Sequence, residues 1–410
     1  MTKPLDGIRV LDVTTFLSGP YATQLLAGLG AEVIKVEQPA GGDPARISPP
    51  FGGPAGAGVA PITEQDLSFG FLKRCRNKKS ITLNLKSAKG KEIFLSLAKK
   101  SDVVMENFRP GTMDRLGLGY SELSKVNPKI IYCSLSGFGL TGAYAHLPAF
   151  DIVIQAMSGL MTTNGTEDMP PLKVGLTLAD LAGGLYSVIG ILAAIQQRHV
   201  TGRGQLVECS MLEALLSLQL DEAPDFWAAQ GKPLRSGNRL LRLTPFNAYP
   251  SRDGWVVIAS GNDTHWARIA QAMGQPELAA DARFQRQSAR TANANEVDEL
   301  ITRWTKTMNN EEIVSLLEKC EVPCAPVRDI LKVLQDEELK ARGAIVDLEH
   351  PATGVIDGYK SWGMPIKFSD AKAAFDQPAP FLGQHNHEVY ADLLGLSESE
   401  LRELVLQGVV

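Results

Sequence analysis

The chain has 410 residues, 44% of them hydrophobic and 21% charged, with a formal net charge of −5. That composition is ordinary for a globular protein, excludes a collagen-like or disordered chain, and offers no global basic field to recruit nucleic acid. The length passes the roughly 250–300 residues at which single cores stop growing, so two domains are expected.

In chain order, residues 8–13 form a short apolar run rich in β-branched side chains and predict a strand. Ser18-Gly19-Pro20 breaks that run and opens a helix over 21–29, with Pro20 near the first turn. Strands follow at 31–36, 80–85, 102–105 and 130–135, and a helix with an apolar stripe at 89–99. Such alternation predicts an α/β fold, a Rossmann-like doubly wound, mostly parallel sheet. Asp180 precedes a long apolar helix at 181–197, then a strand at 205–209 and a helix at 211–220. Residues 1–220 are thus read as the amino-terminal part of a large domain. Pro224, Gly231, Pro233 and Gly237 mark 221–242 as a linker. A strand at 255–260 and helices at 263–273, 295–308 and 311–320 predict a small α+β domain over 243–328. A second linker spans 329–345. The segment 346–410, with strand-like pieces at 344–348 and 364–368 and helices at 387–394 and 398–405, is expected to return to the large domain.

The opening MTKPLDGIRVLDV has no apolar run ahead of a small-residue cleavage site. The longest apolar stretch, 185–195, falls short of the roughly 20 residues that span a bilayer, so no membrane partner is expected. Five scattered cysteines argue against a disulfide framework and for a reducing cytoplasm. Cys320 and Cys324 lack a second pair, and His385 and His387 lack supporting ligands, so no metal is expected and the histidines read as a solvated tail.

Motif by motif, several chemistries drop out. The turn Thr14-Thr15-Phe16-Leu17-Ser18-Gly19-Pro20 has one glycine, which does not let a backbone approach a pyrophosphate as G-x-G-x-x-G does, although Glu37 ends the second strand where a ribose partner would stand. A P-loop is missing. Ser134-Leu135-Ser136-Gly137 lacks the first glycine of a hydrolase elbow. The run Lys73-Arg74-Cys75-Arg76-Asn77-Lys78-Lys79 reads either as a solvated loop or as a phosphate clamp. Asn107-Phe108-Arg109 follows a strand and adds a donor and a cation. Asp180 reads either as a helix N-cap or as a nucleophile. Gly183 and Gly184, each costing helix stability, suggest that something must approach closely there, and first-turn N–H groups could hold an oxyanion.

These segments together resemble the class III CoA-transferases, which include formyl-CoA:oxalate, carnitine and succinyl-CoA:glutarate CoA-transferases and are related to α-methylacyl-CoA racemases. The resemblance lies in GPYATQLLAGLGAEVIKVEQP, RNKKSITLNLKS, VMENFRPG, IIYCSLSGFG, AFDIVIQAMSGLM, TLADLAGGLYSVIGILAAI, TGRGQLVECSMLEA, VPCAPV and MPIKFS, in the family's order. It implies that Asp180 is the nucleophile. It implies that Phe16, Leu17, Ser18, Leu72, Arg76, Asn77, Lys79, Asn107, Phe108, Arg109, Arg115, Phe150 and Asp151 lie along the CoA groove. It also implies an interlocked homodimer, no tightly bound cofactor, and CoA thioesters and carboxylic acids as substrates.

Departures sharpen the expectation. Racemases carry histidine where Phe150 stands, and phenylalanine cannot transfer a proton. Formyl-CoA:oxalate enzymes carry glutamine at the position of Leu17 and tyrosine at that of Phe150, and they have a tetraglycine loop not found here; Gln38 replaces an arginine common in that branch. The sequence is closer in texture to the succinyl-CoA:dicarboxylate branch. The expected activity is transfer of CoA from a donor such as succinyl-CoA to an acid through an aspartyl-CoA thioester, with an acyl-CoA epimerase or a non-catalytic CoA-binding protein as alternatives.

Overall fold

Six segments become parallel strands in the computed structural model, which describes residues 2–410. They are β1 (Arg9–Asp12), β2 (Glu32–Glu37), β3 (Lys78–Thr82), β4 (Val103–Glu106), β5 (Ile131–Ser136) and β6 (Leu206–Ser210). Their order across the sheet is β3-β2-β1-β4-β5-β6, and every neighbouring pair is parallel. Val10, Leu11, Ile34, Val104, Met105 and Ile131 are all fully buried, as expected of strands covered on both faces. The order reverses between β1 and β4. In open α/β sheets that switch point, at the carboxyl ends of the strands, leaves a crevice for ligands.

Helices α1 (Ser18–Gly28), α2 (Phe69–Arg74), α3 (Ala88–Lys99), α4 (Asp151–Met157), α5 (Leu178–Thr201) and α6 (Met211–Gln219) connect and flank the strands. Ser87 starts α3 by accepting a hydrogen bond from Gly90 N at 2.9 Å, and Ile93, Phe94, Leu97 and Ala98 then form its buried stripe. These residues pack in one core with Leu11, Ile34 and Ile81, and with Val389, Tyr390, Leu404 and Val409 from the far end of the chain.

The chain divides into two compact units. The first comprises the residues up to Ser158, Gly175–Leu218 and Asp336–Val410; the second comprises Gly159–Val174 and Gln219–Gln335. In the second, strands β7 (Phe246–Pro250), β8 (Trp255–Ala259) and β9 (Cys324–Pro326) form an antiparallel sheet. Helices α7 (Asp263–Ala272), α8 (Ala294–Thr305) and α9 (Asn310–Lys319) bury Trp266, Ile301 and Leu317 against it.

Two expectations for the carboxyl-terminal segment are corrected. The strand expected at 364–368 is irregular; instead β10 (Ile345–His350) pairs antiparallel with β11 (Gly354–Trp362). His385 is not a solvated residue. Its Nδ1 accepts from Ser80 N at 3.1 Å, and Asn386 accepts from Thr82 N at 2.9 Å, so both satisfy the outer edge of β3.

Candidate active site

The loop after β1 is fixed from below by buried charge. Asp12 pairs with Lys78 at 2.9 Å and accepts from Thr14 N at 2.9 Å. Lys35 pairs with Asp43 at 2.8 Å and donates to the Thr14 carbonyl at 2.8 Å. Asp43 in turn accepts from Phe16 N at 3.0 Å. All four charged side chains are buried. Burial pushes Asp12 and Asp43 up, but the lysines outweigh it and hold both carboxyls below their usual range. This anchoring holds Phe16 at φ 65°, a left-handed conformation that non-glycine residues seldom adopt. Across the switch point, the Asn107 amide donates to Thr15 O at 2.9 Å and accepts from Thr15 N at 2.8 Å. It also donates to Ser18 Oγ at 3.2 Å, which leaves the Ser18 proton for another acceptor.

The Ser18 hydroxyl acts on Asp180, whose carboxyl it pulls down. Helix α5 begins at Leu178, so Asp180 is its third residue and not the N-cap. Thr177 occupies the cap position without a side-chain cap, and the capping carboxylate comes from α4: Asp151 accepts from Ala179 N at 2.8 Å while Gln155 holds its other oxygen at 2.7 Å. Asp180 is therefore free for other work. Burial pushes its carboxyl up and the Asp151 charge adds to that; Arg74 and the Ser18 hydroxyl pull it back, and the balance stands at about 6. Such a carboxylate is ionised at neutral pH yet poorly solvated, a combination that suits a nucleophile.

The two glycines after Asp180 serve the protein backbone, which corrects the expectation that they admit a ligand. A Cβ on Gly184 would stand 2.9 Å from Ser18 O and 3.0 Å from Tyr21 Cδ1. One on Gly183 would stand 3.0 Å from Leu135 Cδ1 and 3.0 Å from Met211 Cγ. The bare Gly184 lets α5 seat closely on α1, beside Ser18, and the bare Gly183 lets it seat on β5 and the start of α6. The same segments carry an exposed aromatic pair, Phe16 and Phe150, edge to face with centroids 6.2 Å apart. Leu17, half-buried, caps α1 between Phe16 and Ser18.

A cavity of about 600 Å³ opens at the carboxyl ends of β1, β2 and β3. Its walls include Val13, Thr15, Val36, Leu83, Leu85 and Phe108, and Lys86 and Thr112 also line it. Arg115 donates to Thr112 Oγ1 at 3.0 Å, which sets a second cation beside it. Arg109 is exposed on the loop after Phe108.

Of the expected groove residues only Phe108 lines this cavity, and four of the others are committed to contacts elsewhere. Leu72 is fully buried in a core with Phe71, Leu348 and Ile356. Arg76 is buried, donates to Trp362 O at 2.7 Å, and lies 4.4 Å over the Phe375 ring. Asn77 bonds to Ala374 O and Gln377 N, both at 2.8 Å. Lys79 stands at the opposite end of the sheet, paired with Glu32 and Glu388, both at 2.6 Å. Arg76, Asn77 and Lys79 therefore fasten the carboxyl-terminal segment instead of lining this cavity. Leu83, Leu85 and Lys86 were the residues missed. Their signal was position, directly after a strand, and the denser charge of the preceding run obscured it.

Three comparisons bear on this arrangement. A family model described as CoA-transferase family III matches residues 5–386. The chain is 38% identical to the succinyl-CoA–D-citramalate CoA-transferase of Chloroflexus aurantiacus, over 100% of this chain and 98% of that protein. It is 34% identical to the succinyl-CoA:glutarate CoA-transferase of Mus musculus, over 100% and 90% respectively. A solved structure of a CaiB/BaiF family protein from Brucella suis superposes with a TM-score of 0.81 at 35% identity, covering 96% of this chain and 100% of that one.

Proposed function

The chain belongs to CoA-transferase family III and is a CoA-transferase, and from that premise we propose that it moves CoA from a succinyl-type donor to a carboxylic acid through a thioester on Asp180. The observation that carries this reading is the Asp180 carboxyl, freed from capping by Asp151 and faced by Ser18 at the carboxyl-end crevice.

The ionised Asp180 oxygen attacks the thioester carbonyl of the donor. The C–S bond breaks, giving a mixed anhydride and CoA thiolate. The thiolate attacks the aspartyl carbonyl, the anhydride C–O bond breaks, and the donor acid leaves as its carboxylate. The acceptor carboxylate then attacks the aspartyl-CoA thioester and the same two steps run in reverse. The Ser18 hydroxyl and the first-turn N–H groups of α5 that Asp151 leaves open stabilise the oxyanion at each addition. One thioester replaces another, so neither ATP nor an oxidant enters the balance. The adenosine end of CoA takes the apolar cavity, with Lys86 and Arg115 meeting phosphate. Epimerisation would need an acid or base at residue 150, and the Phe150 side chain is hydrocarbon.

Wild-type protein incubated with succinyl-CoA and no acceptor is expected to gain the mass of one CoA less water, on the peptide carrying Asp180, and to lose it to hydroxylamine. No adduct, or an adduct elsewhere, would reject the reading.

We also infer that a second copy covers α4 and α5. Ile152, Met157, Leu185 and Ile189 are 43–60% exposed on these helices. Helix α5 is long and apolar enough to cross a membrane by length and composition, yet half of its apolar window is already buried within the fold. Light scattering on the eluting protein should give twice the chain mass, and a monomer mass would exclude this interface.

A further inference from the structure

Arg74 ends α2, and among the described residues its guanidinium makes no hydrogen bond and no ion pair. Its Nε is buried without a partner. Most cations around it are committed: Lys35 to Asp43, Lys78 to Asp12, Arg46 to Glu37 at 2.7 Å, and Arg76 to the Trp362 carbonyl, while the ammonium of Lys73 lies 5.9 Å from the Phe69 ring centroid. The fold nevertheless makes room for this side chain. A Cβ on Gly70 would stand 2.4 Å from Arg74 Nη2, so the guanidinium lies back across the start of its own helix, over a position that carries no side chain. Helix α1 ties that position to the nucleophile: Gln24 donates to Lys73 O at 2.6 Å at one end, and the Ser18 carbonyl lies against Gly184 at the other. The Arg74 and Asp180 charges accordingly act on each other.

Taking Asp180 as the nucleophile, we propose that Arg74 binds the distal carboxylate of the acid being exchanged, and that the substrates are therefore dicarboxylic acids. The charge balance through the cycle supports this. While Asp180 is ionised, it partly compensates Arg74. Once Asp180 is acylated or carries CoA it is neutral, and Asp43, the other carboxylate that acts on Arg74, is already paired with Lys35. A half-buried guanidinium then lacks a counter-charge through every covalent stage, unless the substrate supplies one. A second carboxylate does so, and its two oxygens match the planar fork of arginine.

The test is initial-rate kinetics of Arg74→Met and Arg74→Lys at saturating succinyl-CoA, with glutarate against valerate, which has the same carbon count and one carboxylate. In Arg74→Met the KM for glutarate should rise about 10–100-fold, the loss of a charged hydrogen-bonded pair, with a smaller change in kcat. The KM for valerate should move less than about threefold, and Arg74→Lys should fall between wild type and Arg74→Met for glutarate only. Equal losses for both acids, or an unchanged KM for glutarate, would overturn the assignment. A wild-type enzyme that forms no adduct on Asp180 would overturn the transferase chemistry instead, so the two failures are distinguishable.

Discussion

Asp180→Asn should yield a folded protein that resists heat better than wild type and has lost at least about 10³-fold in transfer rate, because an amide cannot open a thioester. The stability gain follows from the sign of the shift. Burial, reinforced by Asp151, raises the folded-state carboxyl from an ordinary 3.8 to about 6. Keeping it ionised therefore costs folding free energy at every pH above about 6, and the cost disappears as pH falls toward 3.8 and below. Part of the side chain still meets water, so relief by the neutral amide is about 1–2 kcal/mol. Melting curves at pH 8 and pH 5 should show the variant ahead by about 1–3 °C at the higher pH, with a smaller gap at the lower. Wild-type transfer should decline below about pH 6 as Asp180 takes up its proton. A variant that keeps activity, or that melts below wild type at pH 8, would contradict the assignment.

Lys35→Met should cost about 3–5 kcal/mol, the usual penalty for stranding a buried partner charge. Lys35 is fully buried between Asp43 and the Thr14 carbonyl, and Asp12 lies in the same field. Without it, Asp43 keeps its hydrogen bond to Phe16 N but becomes a buried anion with no cation in contact. The loop that carries Phe16 and Ser18 then loses its anchor, so turnover per folded molecule should fall as well. Urea unfolding of Lys35→Met, Asp43→Asn and the double variant separates these effects. The double variant should recover part of the loss, because it no longer buries an unpaired charge at that position. A loss below about 1 kcal/mol for Lys35→Met would mean the pair contributes nothing.

Most strands of the first half were legible because they are short apolar runs buried on both faces, and the helix between two such runs forces a parallel crossover. The start of α5 was not. Thr177 stands where a self-capping helix carries its cap, but its side chain makes no cap bond, and the capping oxygen belongs to Asp151, 28 residues before the Ala179 N–H that it accepts from. Asp180 then looked like the cap. Gly183 and Gly184 were correctly singled out, but a sequence does not say whether the close neighbour is a substrate or another helix. The same ambiguity affected residues 73–79: a row of positive charge looks alike whether it meets phosphate or, as Arg76 does, a carbonyl and two aromatic rings. Strand β11 was hidden by Gly354 and Gly358, both with positive φ, which in sequence read as turns.

The pairing of His385 and Asn386 with β3 has a consequence for biosynthesis. Ser80 waits 305 residues for the imidazole that accepts from its backbone N–H, and the Thr82 carbonyl waits 308 for the Tyr390 hydroxyl. During translation, at roughly 5–20 residues per second, the first five strands of the sheet leave the ribosome well before the residues that close its outer edge and fill its core. For that interval the nascent chain presents an open strand and an incomplete apolar layer. Completion of this unit is therefore a late event in synthesis, and a ribosome stalled before residue 385 holds a substrate for chaperones.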